Sequence, residues 1–200
     1  MNILQARQKL YLAVIQSMSL QQEALEFARQ AHGDQKRKFT GEPYIEHPKR
    51  VAEMVRTVPH TDAMICAAYL HDVVEDTPVT HQEIEQRFGK EVAMLVYELT
   101  DEFMKDKYPG LNRKARKKRE VERQAAMSPE AKTIKLADVI DNTGDILKND
   151  KDFAVRYVPE MVALVEALQG GNFELLMLAC YEVQKARLAL KQAGRLKQRS

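Results

Sequence analysis

Apolar positions along this chain recur at three- and four-residue intervals, and the two-residue alternation of a half-buried strand is nearly absent. Leu, Ala, Met, Glu, Lys, Gln and Arg fill long intervals, while the 8 glycines and 7 prolines gather at their ends. The pattern predicts helices at 3–16, 20–32, 48–58, 62–74, 81–87, 90–102, 112–126, 129–148, 153–168 and 172–194, an all-α bundle of about ten helices. Several starts carry caps: Ser19 with Gln22 and Thr80 with Glu83 have capping-box spacing, and Ser128 precedes an N1 proline, Pro129. Gly170-Gly171-Asn172 reads as a helix stop followed by a new cap. The longest interruption, Gly33 to Glu46, contains Gly41 and Pro43 and is expected to be a surface loop that delivers the chain to His47.

Two hundred residues without a compositional break fit one domain over 1–200, with an N-terminal helix in 1–18 and a C-terminal helix in 172–200 packed on the core. The 31 basic and 29 acidic side chains leave a formal charge of +2, so no global field draws the protein to nucleic acid or to a membrane. A small-molecule partner is expected, and homo-oligomerisation is left open. Cys66 and Cys180 lie far apart in apolar helical stretches, and neither a signal peptide nor a run of about 18 apolar residues occurs, which predicts a cytoplasmic protein.

The chemistry concentrates where a continuously apolar segment changes character. Met64, Ile65, Cys66, Ala67, Ala68 and Leu70 imply a helix buried around most of its circumference. His71, Asp72, Glu75 and Asp76 then crowd its C-terminal end, where the helix dipole disfavours acids by ~0.3–1 kcal/mol each. A divalent cation would resolve that conflict, with imidazole nitrogen and carboxylate oxygen as ligands. His47, before Pro48, reads as an N-cap available to such a site, although an ordinary capping or satisfied histidine is the plainer alternative. In 132–147, Leu136, Ile140 and Leu147 take one side of the helix, opposite Asp138, Asp141, Asn142 and Asp145. Asp141 and Asp145 read as a solvated face, whereas Asp138 and Asn142, four apart, could serve a metal and its substrate together.

The strings GEPYIEHP at Gly41 to Pro48, HDVVEDT at His71 to Thr77 and IKLADVIDN at Ile134 to Asn142 resemble the hydrolase domain of the RelA/SpoT alarmone enzymes, an HD-type helical fold. RKKREVE at Arg116 to Glu122, SPEAK at Ser128 to Lys132 and LQGGN at Leu168 to Asn172 are similar to segments of the small, single-domain members, the metazoan SpoT homologue type. The resemblance implies one divalent metal, most often Mn²⁺, on His47, His71, Asp72 and Asp138, with Glu75 and Asp76 activating water. It further implies hydrolysis of the 3′-pyrophosphate of guanosine (p)ppGpp to GDP or GTP and pyrophosphate. No residues of this sequence remain for a synthetase domain, so a monofunctional hydrolase is expected.

By the same resemblance, Arg37, Lys38, Asn142 and Tyr157 contact the nucleotide, and Arg116 and Lys117 lie near the pyrophosphate. The last two belong to a run, Arg113 to Arg119, of six cations in seven residues, half of which read as a solvated face. Phe39 is assigned either to stacking on a base or to anchoring its loop. Thr143-Gly144-Asp145 departs from relatives that carry a hydrophobic residue and an arginine after the asparagine, which leaves (p)ppApp hydrolysis or removal of the NADPH 2′-phosphate as alternatives. A non-catalytic nucleotide-binding module is a further alternative, against which the intact ligand set counts. His32, His60 and His81 are read as structural or solvent-facing.

Overall fold

A computed structural model describes residues 20–38 and 40–195. The helix expected at 3–16, the Ser19 cap and Phe39 therefore lie outside the described residues. In chain order the helices are α1 (20–32), α2 (Glu46–Arg56), α3 (Asp62–Leu70), α4 (Val73–Asp76), α5 (His81–Phe88), α6 (Lys90–Leu99), α7 (Arg113–Gln124), α8 (Pro129–Asn149), α9 (Lys151–Ala167) and α10 (Phe173–Gln192). The described residues contain no strand, only an isolated antiparallel bridge between Lys36 and Pro43. None of their helices is long and apolar enough to cross a membrane.

The expected all-α architecture is therefore the one observed. α3 is its axis: Ala63 through Leu70 are all buried, as an unbroken apolar run demands. It packs against α2, α6 and α8, and the far side of α8 packs against α9 and α10. α1 closes over α5, where Phe27 meets Phe88 edge to face at 5.4 Å and Arg87 pairs with Glu23 at 2.8 Å.

Caps fix the boundaries much as the sequence predicts. Thr80 and Glu83 form a reciprocal capping box on α5, Ser128 accepts from the Ala131 N–H ahead of Pro129, and Asn172 accepts from the Glu174 and Leu175 N–H groups. Two expectations are corrected. The helix predicted through 74 ends at Leu70, and α4 begins afresh after Asp72, so Glu75 and Asp76 occupy a first turn instead of a helix C-terminus. His47 is not an N-cap: Ile45 holds that place and His47 is the second residue of α2, fully buried. Pro48 is tolerated because first-turn N–H groups need no intrahelical partner.

The turn between α9 and α10 lies directly on α8. Gly170 has φ +100°, and a Cβ on Gly171 would stand 3.0 Å from Leu136 Cδ1, 3.1 Å from Lys132 Cβ and 3.2 Å from the Lys132 carbonyl carbon. Only a residue without a side chain allows that approach. Gly171→Ala is expected to lower stability by ~1–3 kcal/mol, as overpacking does, read as a lower urea midpoint at unchanged slope; an unaltered midpoint would show that the contact is slack.

Candidate metal and nucleotide site

Three elements deliver the chemistry to one place. The first turn of α2 brings in His47, the break between α3 and α4 brings in His71 and Asp72, and the middle of α8 brings in Asp138. His71 is seated by its own ring, whose Nδ1 bonds the Ala68 carbonyl at 2.8 Å. A carbonyl can only accept, so Nδ1 always carries a proton and, in the neutral ring, the lone pair is the one on Nε2.

The four predicted ligands converge. His47 Nε2 lies 3.2 Å from Asp138 Oδ1 and 3.6 Å from Asp72 Oδ2, and His71 Nε2 lies 3.2 Å from Asp72 Oδ2 and 3.8 Å from Asp138 Oδ1. Nitrogen and oxygen ligands at about 2.1 Å from a common cation would stand roughly 3–3.5 Å from one another, so this donor set fits a divalent ion. Both Nε2 atoms are buried and lack a hydrogen-bond partner, which an ion would supply. His47, His71 and Asp138 each offer an atom within 4.8 Å of the others.

Electrostatics match that geometry. Burial would depress His71, yet Asp72 and Asp138 overcome it and raise it to about 9; His47 is raised against the same desolvation by the Asp138 and Asp141 carboxylates on either side of its ring. Burial opposes ionisation of both acids, but His71 lowers Asp72, and Lys135 holds Asp138 well below the usual carboxylate range. Lys135, unnoticed in the sequence, is the largest local counter-charge: its Nζ sits 2.9 Å from Asp138 Oδ2, and Asp101 and Glu75 lie close enough to hold it protonated despite burial. Tyr44, also unnoticed, donates to Asp72 Oδ2 at 2.6 Å.

Glu75 accepts a hydrogen bond from the Asp101 backbone N–H, and burial together with Asp101 pushes its carboxyl up to about 7. Asp76 is raised by burial and by Asp72, while its carbonyl accepts from the Gln35 amide at 2.9 Å. The loop carrying Asp101 is pinned by Glu120, which accepts from the Glu102 and Phe103 N–H groups at 2.9 Å each.

A cavity of about 860 Å³ opens beside Asp138, lined among others by Asn142, Lys135, Lys117, Arg113, Arg156 and Tyr157. Of the predicted substrate contacts, Asn142, Tyr157 and Lys117 line it; Lys117 also pairs with Asp101 at 2.9 Å. Arg37 reaches the site through Asn142, donating to its Oδ1 at 2.9 Å while Asn142 Nδ2 donates to Asp138 Oδ1 at 2.5 Å. Lys38 is exposed in the same loop. Arg116 does not line the cavity; its guanidinium donates to the Leu111 carbonyl at the start of its own helix.

Asp141 and Asp145 are not a solvated face. Asp145 pairs with Arg37 at 2.9 Å, and Asp141 accepts from His47 Nδ1 at 2.7 Å and from Arg50 Nε at 2.6 Å. In the Thr143-Gly144-Asp145 departure, Thr143 is buried beside Tyr157, Gly144 lines a separate groove with Arg50 and Asp141, and Asp145 holds Arg37, which reaches the cavity through Asn142. His32 stacks on Tyr44 at 4.6 Å, His60 bonds the Val58 carbonyl at 2.7 Å and His81 meets Tyr97 edge on at 5.2 Å, all structural contacts.

A family model described as HD domain matches residues 24–166. The chain is 44% identical over 121 residues to the guanosine-3′,5′-bis(diphosphate) 3′-pyrophosphohydrolase of Aquifex aeolicus, a match covering 60% of this chain but only 17% of that protein. It is 38% identical over 161 residues to guanosine-3′,5′-bis(diphosphate) 3′-pyrophosphohydrolase MESH1 of Homo sapiens, covering 76% of this chain and 87% of the relative. A solved structure of a metazoan ortholog of SpoT, described as hydrolysing ppGpp, superposes with a TM-score of 0.72 at 31% identity, over 88% of this chain and 97% of that one. With these matches over the same elements that assemble the His47, His71, Asp72 and Asp138 cluster, the chain belongs to the HD-domain family, in the group that contains the MESH1 proteins.

Proposed function

We propose that this chain hydrolyses the 3′-pyrophosphate of guanosine (p)ppGpp, giving GDP or GTP and pyrophosphate, with one divalent ion, Mn²⁺, held by His47, His71, Asp72 and Asp138. The observation that carries the reading is the pair of buried, unpartnered Nε2 atoms facing two carboxylates, one of which, Asp138, lines a cavity of about 860 Å³. That volume suits a nucleotide. The names of the Aquifex and MESH1 relatives support the substrate.

A divalent cation, when bound, polarises a phosphoryl oxygen and makes water a better nucleophile. The chain's own residues do the rest. Glu75, at about 7 and held by the Asp101 N–H, takes the proton of the attacking water, with Asp76 beside it. Lys135 and Lys117 present positive charge along the cavity wall to the pyrophosphate. Asn142, steadied by Arg37, keeps Asp138 in place, and Tyr157 forms the wall against which the nucleoside lies, with Lys38, exposed in the Arg37 loop, as a further nucleotide contact. Arg116 is assigned no contact. Cys66 and Cys180 are free thiols, which suits the reducing cytoplasm proposed for the enzyme.

Incubation of the protein with Mn²⁺ and, separately, ppGpp, pppGpp, ppApp and NADPH, with products resolved by ion exchange, is expected to release pyrophosphate from the guanosine substrates. Asp72→Asn should abolish that release while nucleotide binding persists. Orthophosphate from NADPH, with the guanosine nucleotides untouched, would overturn the assignment.

Glu75 must be ionised to accept a proton, so log kcat/KM should rise with pH and level off above Glu75's own value. A nearby divalent charge favours the carboxylate, so the limb is expected at or below about 7. Glu75→Gln should lower kcat by ~10²–10⁴-fold and flatten that limb; the wild-type limb surviving in the variant would assign the base elsewhere.

A further inference from the structure

The two imidazoles of the cluster are held from behind by different devices. His71 leans on a backbone carbonyl of its own helix, which no side-chain substitution removes. His47 leans on a side chain 94 residues away, Asp141, through Nδ1 at 2.7 Å. Asp141 is in turn gripped on both oxygens by Arg50, through Nε to Oδ1 at 2.6 Å and Nη2 to Oδ2 at 3.2 Å. Arg50 Nη2 also donates to Glu42 at 2.8 Å.

Asp138 and Asp141 are three residues apart on α8, so their side chains diverge by about 60° around the helix. The His47 ring lies between them, Nε2 toward Asp138 at 3.2 Å and Nδ1 toward Asp141. A carboxylate that already accepts from a guanidinium can only accept again. Nδ1 therefore keeps the proton, and Nε2 is left with its lone pair aimed at the cluster.

We propose that Asp141, backed by Arg50, is the positioning residue that fixes the tautomer and orientation of His47, and thereby sets the affinity of the cluster for a divalent ion. The inference rests on the metal reading given above. Asp141 touches neither substrate nor the reacting atoms; it acts through His47, from the groove on the other side of α8.

Calorimetric titration of EDTA-stripped protein with Mn²⁺ alone tests this, with urea midpoints in EDTA recording fold stability separately. Asp141→Ala should weaken Mn²⁺ binding by ~10–100-fold, the range found when such partners of a metal-binding histidine are removed. Asp141→Asn, which retains an oxygen acceptor, should restore part of the loss although its charge is gone. Arg50 is about 40% exposed, so Arg50→Ala should fold even where Asp141→Ala does not, and it is expected to weaken Mn²⁺ binding by a smaller factor, about 3–10-fold. Wild-type affinity in Arg50→Ala overturns the backing role, and wild-type affinity in folded Asp141→Ala overturns the inference altogether. Failure of the underlying reading looks different: a wild type that takes up no Mn²⁺, or whose uptake survives His71→Ala, has no such centre, and the inference falls with it.

Discussion

Two imidazole nitrogens, buried without partners and pointed at two carboxylates, are the constraint around which this bundle is arranged. Moving such groups out of water is costly unless each finds a charge or a hydrogen bond. Every neighbouring element answers part of that demand. Lys135 neutralises the outer oxygen of Asp138, Tyr44 bonds Asp72, the Ala68 carbonyl and Asp141 take the two Nδ1 protons, and Asn142 bonds Asp138 from the next turn. What these contacts leave unanswered lies on the inner face, where two Nε2 atoms and two acidic oxygens meet.

The sequence carried the parts of this arrangement that depend on near neighbours. Helix caps at Thr80, Ser128 and Asn172 are legible because the capping group and the N–H it satisfies are three residues apart or fewer. HDVVEDT announced chemistry because acids so close to a buried apolar run are expensive without a partner. The break after Leu70 was not legible: helix periodicity runs on through His71 and Asp72, and the interruption follows from the site they enter. Asp141 and Tyr44 were missed because their partners lie on other elements, whereas Lys135 sits one turn before Asp138, a spacing that was there to be read. On a helical wheel Asp141 is an ordinary polar residue; only the approach of α2 to α8 turns it into the acceptor for His47.

The basic run of α7 makes the same point with charge. Six cations in seven residues look like a surface for polyanions, yet the structure distributes them among separate tasks. Arg113 pairs with Glu160, Lys117 with Asp101 and Lys118 with Glu122, while Arg116 holds a carbonyl at the helix start. Exposed pairs of this kind contribute little to stability. Arg113, Lys114, Lys117 and Lys118 all line the cavity, and so do the partners of three of them, Glu160, Asp101 and Glu122. The same wall carries Asp101, Glu120, Glu122, Asp138 and Glu160, so its cations are nearly matched by acids, and the pocket, like the chain at +2, is close to balanced.

The cluster also has a proton economy, because the same nitrogens accept either a proton or a cation. His71 is raised to about 9, above its ordinary 6.5. With protons in the cluster, a raised histidine contributes stability that is complete below ~6.5 and is lost as pH climbs through about 9. A cation has the opposite preference, since it binds the lone pair that a proton would occupy. Proton and cation therefore compete for the same lone pair, and a rising pH favours the cation. Asp138 already has Lys135 and Asp72 has Tyr44, so the partner still called for is the one on the Nε2 side of the cluster.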